Sequence, residues 1–308
     1  MSRRNFGPLQ SFGPAGGRAS GGTAPSGGGA VVTPDQVSGL ALWLDPSDSS
    51  TVTMGSNGYS VVNDKASGVG GRSAGDQFLF APSSNYEPAV TSINGRAAMQ
   101  FDGSNDYMVL RTKALGSTTN QRMHATGSAD GLVINSESVT VIAVVKPVDG
   151  SWSGGAVNTY ALPGIFDLSA GYGPGCYIYG TNAAANIGLR IYKFTSPGTG
   201  DHYVNDGTLQ GFPVSGAVAM VWRQQDPGAA PATSYLYGGV DLSAALSTST
   251  SQIQRSYLTY WSQNNCYFGY GYSDYSESVI GEFCVWDRAL SDAEVAGMQA
   301  YFNQQWGV

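Results

Sequence analysis

The last thirty residues of the chain, 279–308, constrain its fold more than any other stretch. They open with apolar positions typical of a strand that ends at Trp286. Ser291 follows as a helix N-cap, and Glu294 three residues later completes a capping box. The pattern therefore predicts a strand followed by one capped helix over residues 291–305.

This helix has one apolar face, because three large side chains recur at helical spacing: Val295, Met298 and Phe302. We expect that face to pack on a sheet edge or across one open end of the sheets.

The rest of the chain from residue 31 onward is typical of β structure. Further strands are predicted at 40–44, 97–101, 107–110, 139–145, 164–168, 176–179, 188–194, 217–223, 234–237 and 266–269. Turn residues separate them, which indicates a sandwich or barrel, and 139–145 is apolar on both faces and should lie mid-sheet. No second core and no helix before Ser291 is predicted, so residues 31–308 form one all-β domain.

The composition limits the possible partners. The net charge is −7 and the few basic residues are scattered, which argues against nucleic acid as a ligand. Charged residues are only 12% of the chain, against roughly 25% in typical domains. A surface rich in Gly, Ser, Asn and Tyr suits packing into an assembly or contact with neutral sugars.

Residues 1–30 differ from the domain that follows. They are rich in Gly, Pro and Ser and have almost nothing to bury, so we expect an extended arm that does not fold alone. A Phe-Gly-Pro sequence occurs twice, at Phe6 and at Phe12, and Arg3 and Arg4 precede it. We interpret these four residues as an assembly anchor that docks on another protein; a plain linker is the alternative.

No apolar run in residues 5–30 has the character of a signal peptide, and no segment reaches the roughly eighteen apolar residues of a membrane span. The three cysteines, Cys176, Cys266 and Cys284, include no C-x-x-C pair. Buried free thiols and an intermolecular disulfide both remain open. We expect synthesis in a reducing cytoplasm.

Four motifs resemble one known superfamily: LALWLDPSD at 40–48, NDKASG at 63–68, INGRAAMQFDGSNDYM at 93–108 and VIGEFCVWDRALSDAE at 279–294. They resemble the laminin-G-like branch of the concanavalin A-like lectin/glucanase superfamily. The resemblance implies a two-sheet antiparallel jelly-roll sandwich that serves as a binding or structural module.

Domains of this kind with a short Gly/Pro-rich N-terminus look like those on bacteriophage structural proteins. The resemblance thus implies a homo-oligomeric virion protein of a fibre, collar, baseplate or capsid surface, with other virion proteins as partners of the arm. The alternative is a glycan-binding module of a bacterial surface protein.

Glycoside hydrolysis is the third hypothesis, and the residues disfavour it. Retaining glycosidases need two carboxylates about 5 Å apart, and relatives on this fold carry them as E-x-D-x-E or E-x-D-x-x-E. None of the five glutamates fits this pattern. Glu277 and Glu282 are five residues apart, which places them on opposite faces of a regular strand. We expect no enzymatic activity.

A calcium site is a weaker possibility. Asp102, Asn105 and Asp106 form the most oxygen-rich segment and could ligate Ca²⁺. The favoured interpretation is a turn between two strands whose backbone these side chains cap, with no cofactor.

The best candidate ligand site is a tyrosine-rich stretch near the C-terminus. Tyr270, Tyr272, Asp274 and Tyr275 lie just before the last strand, whereas Phe268 should face the core. Tyrosine rings stack on sugars while carboxylates accept hydroxyl hydrogen bonds. Tyrosine is equally enriched in contacts between subunits, so both interpretations stay open.

Overall fold

The structure is a computed structural model that describes residues 31–66, 74–112, 138–148, 216–225, 267–271 and 274–308, and the segments 166–167, 175–180, 187–193, 202–203, 233–239 and 247–249. Within them it has one α-helix, α1 (Asp292–Trp306), and these strands: β1 (Leu40–Leu44), β2 (Val52–Met54), β3 (Tyr59–Asn63), β4 (Gln77–Phe80), β5 (Ala89–Ile93), β6 (Arg96–Asp102), β7 (Met108–Thr112), β8 (Val139–Pro147), β9 (Phe166–Asp167), β10 (Gly175–Gly180), β11 (Ile187–Lys193), β12 (His202–Tyr203), β13 (Val218–Gln225), β14 (Thr233–Gly239), β15 (Ser247–Ser249), β16 (Tyr267–Phe268), β17 (Tyr270–Gly271), β18 (Asp274–Tyr275) and β19 (Glu277–Trp286).

The strands form two antiparallel sheets and a small hairpin. Sheet A has the order β15-β14-β13-β8-β19-β6-β5, with β1 also paired to β19. Sheet B has the order β12-β11-β10-β9-β16-β7-β4-β3-β2, and β17 pairs with β18 as a separate ribbon. The predicted antiparallel two-sheet sandwich with a C-terminal helix is confirmed.

The two sheets meet through alternating apolar side chains. Phe268 of sheet B lies edge-on to Phe283 of sheet A, with ring centroids 4.8 Å apart, and both are fully buried. Phe268 therefore faces the core, as predicted. Side chains one residue away along each strand point to the opposite face of the same sheet.

Strand β8 lies in the middle of sheet A, between β13 and β19. Its residues 141–145 are all at most 1% exposed, although successive side chains point to opposite faces. The prediction of a mid-sheet strand that is buried on both faces is confirmed, and it requires a third layer outside sheet A.

Helix α1 supplies that layer. Ile142 and Val144 of β8 share a buried apolar cluster with Val295, Met298 and Phe302 of the helix. The helix thus lies on the outer face of sheet A, and the prediction that it packs on a sheet edge or open end was wrong. The cause is the two-faced apolar pattern of β8, since its outer face needs cover.

A β-bulge interrupts β19 opposite Val144. Ile280 pairs with Val145 and Phe283 pairs with Ala143. Two residues of β19, Gly281 and Glu282, therefore lie opposite the single residue Val144 of β8. A Cβ at Gly281 would lie 2.9 Å from the ring of Trp306 in α1, so glycine permits the close approach of the helix. The extra residue turns the Glu282 side chain toward the helix.

The ends of α1 are capped by nearby residues. Ser291 Oγ accepts the Glu294 N–H, and the Glu294 carboxylate accepts the Ser291 N–H, which is the predicted capping box. Arg288 binds the same carboxylate and helps lower the pKa of Glu294 to about 2. At the other end, the Asn94 amide donates to the Trp306 carbonyl at 2.6 Å.

Some local predictions were wrong or incomplete. Two short 3-10 helices, Pro34–Gln36 and Ser84–Tyr86, precede Ser291, where no helix was predicted. Each is a single three-residue turn, too short to show helical periodicity. The predicted strands also left out β2, β3, β4, β5, β12 and β15 and the β17–β18 hairpin.

No helix in the described part of the chain has the length and apolar character needed to cross a bilayer. Residues 1–30, and with them Arg3, Arg4, Phe6 and Phe12, lie outside the described residues.

Candidate functional site: a tyrosine patch

Five tyrosines meet at one end of sheet B and form a partly exposed group, the tyrosine patch: Tyr86, Tyr107, Tyr267, Tyr270 and Tyr275. Tyr107 is its centre, because its ring centroid lies 4.8 to 6.3 Å from those of the other four. Tyr270 also lies 5.4 Å from Tyr267 and 5.0 Å from Tyr275. Such distances are typical of aromatic pairs that support one another.

The tyrosines come from separate parts of the chain. Tyr86 ends a 3-10 helix, Tyr107 immediately precedes β7, and Tyr267 lies in β16. The Tyr107 N–H donates to the Tyr86 carbonyl at 3.1 Å, which ties these two segments together. The ring of Tyr267 points outward because its neighbour Phe268 points into the core.

A glycine positions the hairpin that carries Tyr270 and Tyr275. Gly269 has a φ of 76°, and a Cβ there would lie 2.0 Å from the Phe101 ring. Only glycine fits this left-handed position above a core aromatic. The Gly269 carbonyl accepts the Ser276 N–H at 2.8 Å, which closes the hairpin next to Tyr107.

Two tyrosines of the patch, Tyr107 and Tyr275, hold their protons more tightly than an exposed tyrosine does. Burial raises the pKa of Tyr107 above its ordinary value, and the neighbouring tyrosines raise it further. Burial and the nearby Tyr270 likewise raise the pKa of Tyr275. Both hydroxyls are therefore neutral at physiological pH and can donate or accept hydrogen bonds.

The structure brings together part of the predicted site. Tyr270 and Tyr275 lie side by side in the patch. Tyr272 falls outside the described residues, and only the backbone of Asp274, in β18, is described. Sequence reasoning missed Tyr86 and Tyr107, which lie far from Tyr270 along the chain, and it did not assign Tyr267 to the site.

The candidate calcium segment forms a self-capped loop that crosses from β6 to β7. Asp102 Oδ1 accepts the N–H groups of Ser104 and Asn105 at 2.8 and 3.1 Å, and Asp106 Oδ2 accepts the Asp102 N–H at 3.2 Å. Burial and the Asp102 charge raise the pKa of Asp106 to about 6. In the described part of the chain, no three His, Cys, Asp or Glu side chains gather closely enough to hold a metal ion.

Several residues of the motifs that resemble the superfamily hold helix α1 on sheet A. Glu282 is 0% exposed, and its carboxylate accepts hydrogen bonds from Trp43 Nε1 at 2.6 Å, Tyr301 Oη at 2.9 Å and Trp306 Nε1 at 2.7 Å. Burial raises the pKa of Glu282 to about 7, although these three donors oppose the shift. The group joins β1, β19 and α1, and no part of it is open to a ligand.

A group of charged side chains lies beside the hydrogen-bonded group of Glu282 and contacts the C-terminal half of α1. Asp45 is 3% exposed and lies 3.2 Å from Lys65 Nζ and 3.5 Å from Arg96. Lys65 also lies over the Trp43 ring and Arg96 over the Trp306 ring, at 4.3 and 4.9 Å from the centroids. These residues of the LALWLDPSD, NDKASG and INGRAAMQFDG motifs are therefore structural.

The two strand glutamates do not form a catalytic pair. The bulge at Gly281 and Glu282 returns Glu277 and Glu282 to the same face of β19, so the prediction of opposite faces was wrong. Glu277 is nevertheless exposed at the start of the strand, about 13 Å along it from the buried Glu282. That spacing exceeds both the retaining and the inverting geometry.

Cys284 is a free thiol on the helix side of sheet A and is 0% exposed. Burial raises its pKa well above the ordinary value, so it is an inert core residue. The side chains of Cys176 and Cys266 lie outside the described part of the chain.

No protein-family model and no curated protein sequence matches this chain. Several solved structures resemble it. One is Trypanosoma rangeli sialidase in complex with the inhibitor DANA, at 13% identity over 90% of this chain and 34% of the sialidase chain, with a TM-score of 0.48.

A second is the binding domain of Paraclostridial Mosquitocidal Protein 1, at 10% identity over 86% of this chain and 53% of that chain, with a TM-score of 0.48. A third is domain 4 of AbnA, a GH43 extracellular arabinanase from Geobacillus stearothermophilus, in complex with arabinotriose. It has 12% identity over 84% of this chain and 98% of that domain, with a TM-score of 0.47. The chain thus spans about a third of the sialidase and about half of the mosquitocidal chain.

Two properties of the tyrosine patch bear on its chemistry. Its rings are partly exposed, so they offer apolar faces to a ligand at the same place where their hydroxyls offer hydrogen bonds. Its rings come from well-separated segments of the chain and pack around Tyr107. A flat ligand with apolar faces and polar edges, such as a sugar ring, matches this combination.

Proposed function

We propose that this chain is a carbohydrate-binding module that holds a glycan on the tyrosine patch and does not hydrolyse it. The observation that carries the proposal is the packing of five partly exposed tyrosine rings around Tyr107. Isolated exposed tyrosines are common on protein surfaces, whereas these five pack around one ring and each stays partly exposed, so they form one continuous aromatic surface. Such an area is a reason to expect a binding partner.

Sugar binding fits the patch better than the binding of an apolar ligand. Each tyrosine ring ends in a hydroxyl, and the raised pKa values of Tyr107 and Tyr275 keep those two hydroxyls neutral. Hydroxyls beside apolar ring faces suit a sugar, whose own hydroxyls can donate to them or accept from them, better than a ligand without polar groups.

Binding without turnover is the second part of the proposal. It is supported by the distance and burial of the glutamates in β19: Glu282 is fully buried under α1, and Glu277 lies at the far end of the strand. The burial of Glu282 and the distance between the two carboxylates keep them from acting as a pair on one sugar.

We predict that Tyr107→Ala weakens glycan binding by roughly tenfold or more, since it removes the ring that contacts the other four. Tyr107→Phe keeps the ring and should lose much less. Affinity electrophoresis against a panel of bacterial and plant polysaccharides measures both effects, with melting temperatures as the folding control. The wild-type incubations should release no new reducing ends.

Two outcomes would overturn the proposal. One is wild-type retention by no polysaccharide. The other is unchanged retention of a folded Tyr107→Ala variant. If the same variant instead dissociates an oligomer seen by sedimentation, the patch is a contact between copies of this chain, which is the homo-oligomer interpretation.

We further propose that the module is displayed on a bacteriophage virion, made in the host cytoplasm and attached through residues 1–30. The support is sequence alone: the paired Phe-Gly-Pro segments and the basic residues beside them. An extended peptide with aromatic side chains docks by inserting those side chains into pockets of a partner.

For this arm we predict that Phe6→Ala combined with Phe12→Ala releases the protein from particles, while the domain 31–308 stays folded. Sedimentation of particles followed by immunoblotting measures incorporation, and Ser20→Ala is a control substitution in the same arm. Normal incorporation of a chain that starts at residue 31 would contradict the prediction and place the anchor on the sandwich.

A further inference from the structure

We propose that the glycan bound at the tyrosine patch is a soluble chain that bends from one sugar to the next, and not a flat chain or the face of a crystalline polymer. This inference rests on the proposed function and names the class of glycan for the same site. It depends on the angles between neighbouring rings, which the proposal of a glycan site does not use.

Neighbouring rings of the tyrosine patch are tilted against one another. The plane of Tyr107 meets that of Tyr86 at 49° and those of Tyr270 and Tyr275 at 47° each. Tyr270 and Tyr275 meet at 53°. Tyr267 is turned further, at 61° to Tyr107 and 77° to Tyr270. Every one of these contacts therefore joins two rings whose planes are far from parallel.

Three of the rings form a path along which the tilt recurs. Tyr86 contacts Tyr107 with centroids 4.8 Å apart, and Tyr107 contacts Tyr270 with centroids 6.0 Å apart. Each step is comparable in length to one sugar unit, and the ring plane turns at both steps. Tilted and edge-to-face contacts are the arrangements that aromatic pairs prefer, so this tilt is a stable property of the cluster.

The tilt limits which chains can use several rings at once. A sugar stacks on tyrosine with its apolar face against the face of the ring. A chain that stacks on Tyr86 and Tyr107 must therefore turn by a similar angle between two sugars. Chains with equatorial linkages at both ends of each sugar, such as cellulose and chitin, are ribbons whose successive sugar faces are nearly parallel. Axial linkages, as in amylose and yeast mannan, turn each sugar relative to the one before it.

Crystalline polymers fit the patch least well. Their faces are flat over many parallel chains, so they can stack on one ring of a tilted pair at a time. Contacts with several rings strengthen binding because each further contact forms within the complex that the first one has made. A flat surface loses that gain, whereas a single bent chain in solution keeps it.

The test compares polymers of the same sugar that differ in the shape of the backbone. Amylose is the bent polymer of glucose and hydroxyethyl cellulose the flat one, and yeast mannan and galactomannan form the same pair for mannose. In affinity electrophoresis of the full chain, every polysaccharide that retains the protein should have a bent backbone. It should bind at least about tenfold more tightly than the flat polymer of the same sugar. Crystalline cellulose and chitin should not deplete the protein from solution.

Removal of single rings tests whether one chain contacts several of them. Tyr86→Ala and Tyr270→Ala remove the two ends of the path, and each should weaken binding of the retained polymer by roughly fivefold or more. Tyr86→Phe and Tyr270→Phe keep the rings and should change binding by less than about twofold. Gln304→Ala is the control, because Gln304 is exposed on α1, on the outer face of sheet A. Melting temperatures report whether each variant is folded.

Three results would overturn the assignment of a bent chain and leave the tyrosine patch as a glycan site. They are equal or tighter binding of a flat polymer, depletion of the protein by crystalline cellulose or chitin, and full retention of both folded alanine variants. Retention of the wild type by no polysaccharide would overturn the proposed function itself.

Discussion

Glu282→Gln should lower the free energy of unfolding by about 3 kcal/mol at pH 5.5, the largest effect that we expect from an isosteric change in this chain. Oε1 of Glu282 accepts two hydrogen bonds, from Trp43 and Tyr301, and Oε2 accepts one from Trp306. At pH 5.5 the side chain is the neutral acid, whose hydroxyl oxygen can still accept a hydrogen bond, whereas the NH₂ group of Gln cannot accept one and meets an N–H or O–H donor with its own hydrogens. Chemical denaturation monitored by tryptophan fluorescence measures the loss.

The pH dependence identifies the cause. The pKa of Glu282 is raised to about 7 in the folded chain from 4.5, so the folded state binds the proton more tightly. Its contribution to stability is therefore fully present below pH 4.5 and is lost as the pH rises through 7. Gln cannot titrate, so the difference between the two proteins should be larger at pH 5.5 than at pH 8.

A second substitution tests the hydrogen-bond explanation. Trp306→Phe removes the donor that faces the new amide, so Glu282→Gln should cost clearly less in the Trp306→Phe background than in the wild type. Equal costs in the two backgrounds would show that the donors do not determine the effect.

Met298→Asp should destabilise the chain by about 4 kcal/mol or more, because it buries an unpaired carboxylate between α1 and sheet A. Met298 is 0% exposed and lies in the same apolar cluster as Ile142 and Val144. Thermal and urea unfolding measure the change. A fully retained melting temperature would show that α1 is not docked on the sheet.

Ala296→Asp is the matched control for this prediction. Ala296 lies on the exposed side of the same helix, in its N-terminal half, where a negative charge does not oppose the helix dipole. Its effect should stay within about 0.5 kcal/mol.

Local signals predicted the C-terminal part of the fold well. The capping box at Ser291 and Glu294 fixes where α1 begins, and the apolar run at 139–145 identifies a strand buried on both faces. The position of α1 was predicted wrongly, although a strand that is apolar on both faces, such as β8, needs a layer on each of them. The bulge at Gly281 could not be predicted either. One extra residue changes the alternation of side chains along β19 too little to be recognised in the sequence.

The sequence contains a turn signal between β5 and β6. Asn94 and Gly95 both have positive φ angles, 48° and 88°, as in the turn that joins a tight hairpin. An Asn-Gly pair between two β-like segments predicts such a turn, and it would have revealed β5 beside β6.

Only part of the tyrosine patch could be foreseen. Tyr270 and Tyr275 stand out because they lie close together among glycines. Tyr86 and Tyr107 lie beside them because the chain crosses from sheet A to sheet B at this point. A backbone hydrogen bond holds these two tyrosines together. Contacts at such sequence separations depend on the topology, which no local pattern encodes.

The central position of β19 has a consequence for biosynthesis. β19 is the last strand of sheet A to be synthesised, yet it pairs with β8 on one side and with β6 and β1 on the other. Until it leaves the ribosome, these three earlier strands expose unpaired backbone edges and apolar surface, and α1 emerges later still. The two halves of sheet A, β8 with β13 to β15 and β5 with β6, can therefore be joined only after β19 is synthesised, and chaperones that shield strand edges become relevant before that point.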